Sequence, residues 1–151
     1  MILRRATPDD AGVVAQISTT SRHAAMPTIR WAHTADEDRW WVANILLPGE
    51  EVWVAEDGGQ VLGFLALHHD EHGDWVSQLY LKPGHWRQGI GTALLAHAKA
   101  LRPRGLRLWC FQVNARGRAF YERHGFGVAR TTDGADNEER EPDILYVWAP
   151  G

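Results

Sequence analysis

Two apolar runs, EVWVAE and VLGFLALHH, are separated by DGGQ, Asp57 to Gln60. A turn this short with two adjacent glycines joins antiparallel strands, so the runs are sheet neighbours. The segment DEHGD then turns the chain into WVSQLYL, a third strand. Beyond it the pattern changes: GIGTALLAHAKAL reads as a helix, RPRG ends it, and LRLWCFQV alternates as a strand. Antiparallel hairpins leading into a strand–helix–strand unit predict an α/β (α+β) class. The sheet is then mixed, mostly antiparallel and flanked by helices.

The flanking segments complete the order. ILRRA opens as a strand. Thr7, Pro8 and Asp10 carry an N-terminal capping pattern for a helix whose apolar face is Val13, Val14 and Ile17. Ser21 to His33 lacks a helical period and reads as a long loop. Thr34 and Glu37 form a second capping box, opening ADEDRWWVANILL, and PGEE stops it. NARGRAFYERHG is a short helix closed by Gly125. FGVART is a strand, TDGADNEEREP an acidic loop and DILYVW the final strand. The predicted order is β-α-α-β-β-β-α-β-α-β-β. No repeat and no linker divides it, so residues 1–151 read as one domain.

Composition removes several function classes. The chain carries 16 Lys plus Arg against 19 Asp plus Glu, a formal charge of −3, without the basic excess of a nucleic-acid binder. No run reaches the roughly 18–20 apolar residues of a membrane span, and MILRRATPDD shows no signal-peptide pattern. Cys110 is the single cysteine, which excludes an internal disulfide and a cysteine zinc cage. The expectation is a cytoplasmic protein with no nucleic-acid or membrane partner.

Gly89 and Gly91 stand at the mouth of an alanine- and leucine-rich helix, where glycine costs about 1 kcal/mol against alanine. A helix N-terminus presents unpaired N–H groups and partial positive charge, a natural anion site. A P-loop needs a lysine that this segment lacks. The dinucleotide fingerprint needs a third glycine where the chain has Leu94. A coenzyme A diphosphate is the remaining phosphate reading, against a purely structural strand–helix connection.

The next helical segment decides between them. QLYLKPGHWRQGIGTALL and NARGRAFYERHGF together resemble the GNAT superfamily of N-acetyltransferases, and the element order matches over nearly the whole chain. The resemblance implies an acetyl-CoA-dependent enzyme. It implies that main-chain groups of Leu79, Tyr80 and Leu81 meet the pantetheine arm, with an N–H near Leu79 polarising the acetyl carbonyl. Arg87, Gln88, Gly89, Ile90, Gly91 and Thr92 would hold the diphosphate, mainly by backbone. Asn114 would hydrogen-bond the pantetheine chain, and Tyr121 would stand near the sulfur. The chain departs from the family at Trp86, where a Gln or Arg is usual.

Acetyl transfer to an amine needs a neutral amine, stabilisation of developing oxyanion charge, and a proton for the departing thiolate. A lysine-like amine has a pKa near 10.4. Tyr121 is the candidate acid; its neighbour Phe120 reads as core. The strand WVSQLYL carries no acid, only Asp74 at its edge. Candidate bases are therefore His33, His68, Glu138 and Glu139; a water chain and simple capture of the minor neutral amine are the alternatives. HHDEH, His68 to His72, sits on a turn without specified ligand geometry, so no metal is expected. Cys110, in mid-strand, reads as inert core. Arg116, Arg118 and Arg123 either meet the coenzyme's 3′-phosphate or form a solvated face.

The loops Ser21–His33 and Asp133–Asp143 are the expected acceptor region. Asp133, Asp136, Glu138, Glu139, Glu141 and Asp143 concentrate negative charge suited to a cationic amine, with His33, Glu138 and Glu139 as candidate acceptor-binding residues. Trp31, Trp40 and Trp41 could add an aromatic wall. The expectation is direct acetyl transfer to a small-molecule or peptide amine, in a protein that could dimerise. The alternative is a non-catalytic acetyl-CoA sensor.

Overall fold

The computed structural model describes residues 1–150. The strands are β1 (Ile2–Arg5), β2 (Glu51–Asp57), β3 (Gln60–Asp70), β4 (Gly73–Leu81), β5 (Leu106–Phe111), β6 (Gly127–Thr132) and β7 (Asp143–Trp148). The helices are α1 (Ala11–Ala25), α2 (Ala35–Trp41), a single turn α3 (Leu47–Gly49), α4 (Ile90–Leu101) and α5 (Ala115–Arg123). The order of strands and main helices agrees with that read from the sequence. Among the described residues no helix is long and apolar enough to cross a membrane.

The seven strands form one sheet in the order β1-β2-β3-β4-β5-β7-β6. Every neighbouring pair is antiparallel except β4 and β5, which run parallel and pair only at Trp75 with Arg107. Strand β3 is buried through Val61–Leu67, which explains its unbroken apolar run. Leu65 and Leu67 pack with Leu94, Leu95 and Ala98 of α4. Phe64 and Ala66 pack on the opposite face with Val14 and Ile17 of α1 and with Val42 and Leu46. Fully burying one such side chain stabilises by roughly 1.5–3 kcal/mol, so these two layers hold the sheet between its helices.

Local chemistry sets the helix starts. The Asp10 carboxylate accepts from the Thr7 N–H at 2.7 Å and takes a two-pronged contact from Arg4 at 2.9 and 3.0 Å. Those bonds hold the Asp10 carboxyl below the usual carboxylate range, chiefly through Arg4. Thr34 accepts from the Glu37 N–H, and Glu37 accepts from the Thr34 N–H. The expected loop at Ser21–His33 is corrected at its start, because α1 continues through Ala25. Arg22 carries it there: its Nε donates to Ser18 O, and its Nη2 meets Asp38 of α2 at 2.7 Å.

A π-helical turn at Val42–Leu46 follows α2. It turns Val42 and Leu46 inward and leaves Trp40 (61%), Trp41 (38%) and Ile45 (48%) exposed.

Candidate active site

Where β4 and β5 stop pairing, a cavity of about 1290 Å³ opens between them. Its walls come from both faces of the sheet. Gly89, Gly91 and Thr92 at the start of α4 and Asn114, Phe120 and Tyr121 around α5 belong to one side. Ser21, Ala25 and Met26 at the end of α1 belong to the other, with Asp136 and Asn137 from the β6–β7 connection and Asp143 at the start of β7. The gap therefore passes through the sheet.

The ladder aims the backbone of β4 into this gap. The Lys82 N–H donates to Leu62 O at 2.8 Å. In an antiparallel ladder, main-chain groups alternate between the two sides. Those of Lys82 and Tyr80 therefore turn toward β3, and those of Leu79 and Leu81 turn toward the space that β5 has left.

The glycines at the start of α4 serve two separate ends. Gly89 is the N-cap at φ 81°, a left-handed conformation that suits glycine, and a Cβ there would meet nothing within 4 Å. Gly91 is a close approach: a Cβ would lie 3.3 Å from the Phe120 ring and 3.5 Å from Leu81. Between them they leave the first turn of α4 open. No side chain caps it, and around the turn only His85 and Ala93 donate their N–H groups, to Lys82 O and Gly89 O. The amides from Arg87 to Thr92 have no acceptor among the described residues. A diphosphate fits this cradle by charge and by donor supply.

The predicted coenzyme residues converge here. Leu79, Tyr80, Leu81, Arg87, Gly89, Gly91, Thr92, Asn114 and Tyr121 line the cavity. Gln88 and Ile90 do not: Gln88 contacts the His85 ring at 3.1 Å, and Ile90 is buried in the core, leaving their main-chain groups. The Tyr80 side chain lies 6.0 Å from Phe64 in the α1-side layer. Asn114 caps α5, accepting from the Gly117 N–H at 2.9 Å, which leaves its Nδ2 hydrogens for a guest. Trp86 carries the Arg116 guanidinium 4.0 Å over its ring, and both line the cavity. Arg118 instead donates to Gln112 O, and Arg123 lines the cavity.

Tyr121 packs edge-on against Phe120 and Phe126, at 5.3 and 5.7 Å. Burial, with Cys110 and Tyr80 nearby, pushes its phenol well above the ordinary value, so it holds its proton at neutral pH. Burial likewise pushes the Cys110 thiol up to about 12, which leaves it un-ionised and inert.

The candidate bases lie elsewhere. Asp74 pairs with His69 and Arg102, and His68 is exposed near the β3–β4 turn. Asp70 accepts from Trp75 Nε1 at 2.7 Å. His33 meets Glu138 at 2.8 Å and Glu37 at 3.5 Å, and these carboxylates raise its pKa above the ordinary histidine value. That contact ties the α1–α2 loop to the acidic loop. His33, Glu138 and Glu139 do not themselves line the cavity, and neither do Trp31, Trp40 and Trp41. Trp31 packs on Phe111 and His23 at 6.0 Å.

Of the six acids that the sequence groups as suited to a cationic amine, the structure singles out Asp143 by its burial. It is 8% exposed, lines the cavity, and accepts from Thr132 Oγ1 and from Asn137 Nδ2 at 3.2 Å. Its partners are neutral, and no cation lies within ion-pair distance of it. An acid opening an otherwise apolar strand was the available signal.

Residues 48–128 match the family model described as an acetyltransferase (GNAT) domain. The chain is 36% identical over 84 residues to the probable N-acetyltransferase Rv2775 of Mycobacterium tuberculosis, covering 53% of this chain and 48% of that protein. It thus spans about half the length of that relative. It is 28% identical over 125 residues to the peptidyl-lysine N-acetyltransferase YiaC of Escherichia coli, covering 78% of this chain and 81% of that protein. In fold it is similar to the PaiA N-acetyltransferase of Thermoplasma acidophilum, solved in complex with coenzyme A. That match has a TM-score of 0.79 at 20% identity, over 99% of this chain and 98% of that one. A helix mouth with uncapped amides, a parted pair of parallel strands and a matching family model lead to one conclusion: the chain belongs to the GNAT family of acetyltransferases.

Proposed function

We propose that the chain acetylates a cationic primary amine of the lysine type, in a peptide or a small molecule, by direct transfer. One observation carries this reading. The gap through the sheet has unpaired helix amides at one mouth and, on the acceptor side, the buried carboxylate Asp143 with no counter-ion. Buried charges are normally paired, so this one suits an incoming ammonium. The relative YiaC, by name, acts on peptidyl lysine, which agrees with that charge.

Acetyl-CoA supplies an activated acyl group through its thioester. The chain's own residues do the rest. The Leu79 N–H, turned into the gap, donates to the carbonyl oxygen as negative charge develops there. The neutral amine nitrogen bonds to the carbonyl carbon, the carbon–sulfur bond breaks, and Tyr121 gives its proton to the sulfur; the proton shed by the nitrogen passes to cavity water, which restores the phenol. Asp143 orients the acceptor and takes part in its deprotonation. Cys110, held un-ionised, forms no acetyl-enzyme, so both substrates occupy the gap together.

The test is acceptor-dependent thiol release with a panel of lysine peptides and small amines. Intersecting double-reciprocal lines are expected. Asp143→Asn, which keeps an oxygen for Thr132, should raise KM for cationic acceptors at least tenfold while coenzyme affinity stays level. Parallel lines would remove direct transfer, and an unchanged KM would remove Asp143 from the acceptor site. Coenzyme binding without acceptor-dependent thiol from any amine would overturn the amine reading.

A further inference from the structure

We propose that His124 reads the coenzyme's diphosphate, taking up a proton as the anion seats against the first turn of α4. The inference rests on the coenzyme assignment and goes beyond it to a residue outside the motif positions that carried it. The ring lies between two helix ends. Its Nδ1 is 2.8 Å from Phe120 O, and because a carbonyl only accepts, Nδ1 carries the hydrogen. In the neutral ring Nε2 is then a bare lone pair. That lone pair lies 3.1 Å from Thr92 Oγ1, so the hydroxyl donates to it.

Thr92 is the third residue of α4, inside the turn whose amides lack acceptors. His124 lines the same cavity. An anion held by those amides competes for the Thr92 hydroxyl. Once the hydroxyl turns to a phosphate oxygen, a neutral Nε2 faces negative charge with its lone pair. Protonation converts that repulsion into a charge-assisted donor bond.

The charged groups around the ring leave this role to the ligand. Lys99 of α4 donates to the His124 main-chain oxygen at 2.5 Å. Arg123 precedes His124 in sequence, and Arg87 and Arg116 line the cavity from the α4 loop and from α5. Glu122, the nearest acid along α5, accepts from Tyr146 Oη at 2.5 Å. Among the described residues the histidines with carboxylate partners are His33, His69 and His72, not His124. Negative charge at this ring arrives with the coenzyme.

The experiment is calorimetric titration with dephospho-coenzyme A. That probe keeps the diphosphate and lacks the 3′-phosphate, a monoester that itself titrates near pH 6. Wild-type protein should bind roughly tenfold tighter at pH 5.5 than at pH 8. At pH 7, binding heats in two buffers of different ionisation enthalpy should report net proton uptake. His124→Asn keeps a donor for Phe120 O without the phosphate-facing nitrogen, and should lose both the slope and the uptake. His124→Gln offers a neutral donor and should bind without a slope. Acetyl-pantetheine, which has no diphosphate, should bind wild type without proton uptake. Flat wild-type affinity without uptake, or a slope that survives in His124→Asn, overturns the proposal alone. Absence of binding at either pH overturns the coenzyme reading together with it.

Discussion

Removing one oxygen atom, by Tyr121→Phe, separates the catalytic from the structural demands on that ring. The hydroxyl has no hydrogen-bond partner among the described residues, while the ring packs on Phe120, Phe126 and Tyr146. The residue is half-buried on the cavity wall, and its hydroxyl is not among the buried unpartnered atoms, so it is solvated there. Deleting it should leave stability within about 0.5 kcal/mol. In a domain of this size about 1 kcal/mol corresponds to roughly 2–4 °C, so Tm should stay within about 2 °C. Turnover should fall. A positioned general acid contributes roughly 10²–10⁴-fold. The phenol is protonated across the neutral range, but burial that raises its pKa weakens it as a donor, so a loss toward the lower end is expected. Coenzyme affinity should stay within about twofold, since packing carries the ring. Thermal melts, steady-state thiol release and calorimetry on the same preparations make the comparison. A lowered Tm would mean that the hydroxyl has a structural partner. Turnover within twofold of wild type would take the acid role from Tyr121.

Two further expectations follow from the same surroundings. Gly89→Ala puts an L side chain at φ 81°, which costs about 1–2 kcal/mol, while the stiffer unfolded chain offsets about 0.4–1. The net loss should be about 1 kcal/mol in urea unfolding, with Gly89→Asn recovering most of it; equal stability of the Ala and Asn variants would show that the backbone angle is not the constraint. Stability should also fall at alkaline pH. Cys110 rises from 9.0 to about 12, Tyr146 rises from 10.0 to about 12, and Tyr121 is raised as well. Each group binds its proton more tightly folded than unfolded, so the unfolded state loses protons first and stability drains from pH 9 up to about 12. Urea midpoints at pH 8, 9.5 and 10.5 should decrease in that order, and a flat profile would refute the burial of these groups.

The features legible in the sequence are those written in local chemistry. Two glycines at a two-residue turn fixed the β2–β3 pairing. Capping boxes at Thr7 and Thr34 fixed helix starts, and the run from Asn114 to Gly125 fixed α5. What escaped depends on partners distant in sequence. Ser21–Ala25 stays helical because Arg22 finds Asp38 on the next helix. Gly91 is small because Phe120, from another helix, lies against it, which no inspection of its own helix reveals. Asp143 was one of six acids expected to attract a cationic amine, and nothing local set it apart, since its burial depends on Thr132 and Asn137 folding over it. The open helix mouth at Gly89 and Gly91 was thus readable, whereas the far wall of the cavity is assembled from long-range contacts.

The single rung between β4 and β5, Trp75 with Arg107, gives the molecule an unusual mechanical character. It is a pair of half-sheets riveted at one point and splayed like an opened book. A guest with amide groups of its own, lying along the free edge of β4, would complete the missing rungs as a borrowed strand. Loading would then stiffen the spine of the book, and release would loosen it.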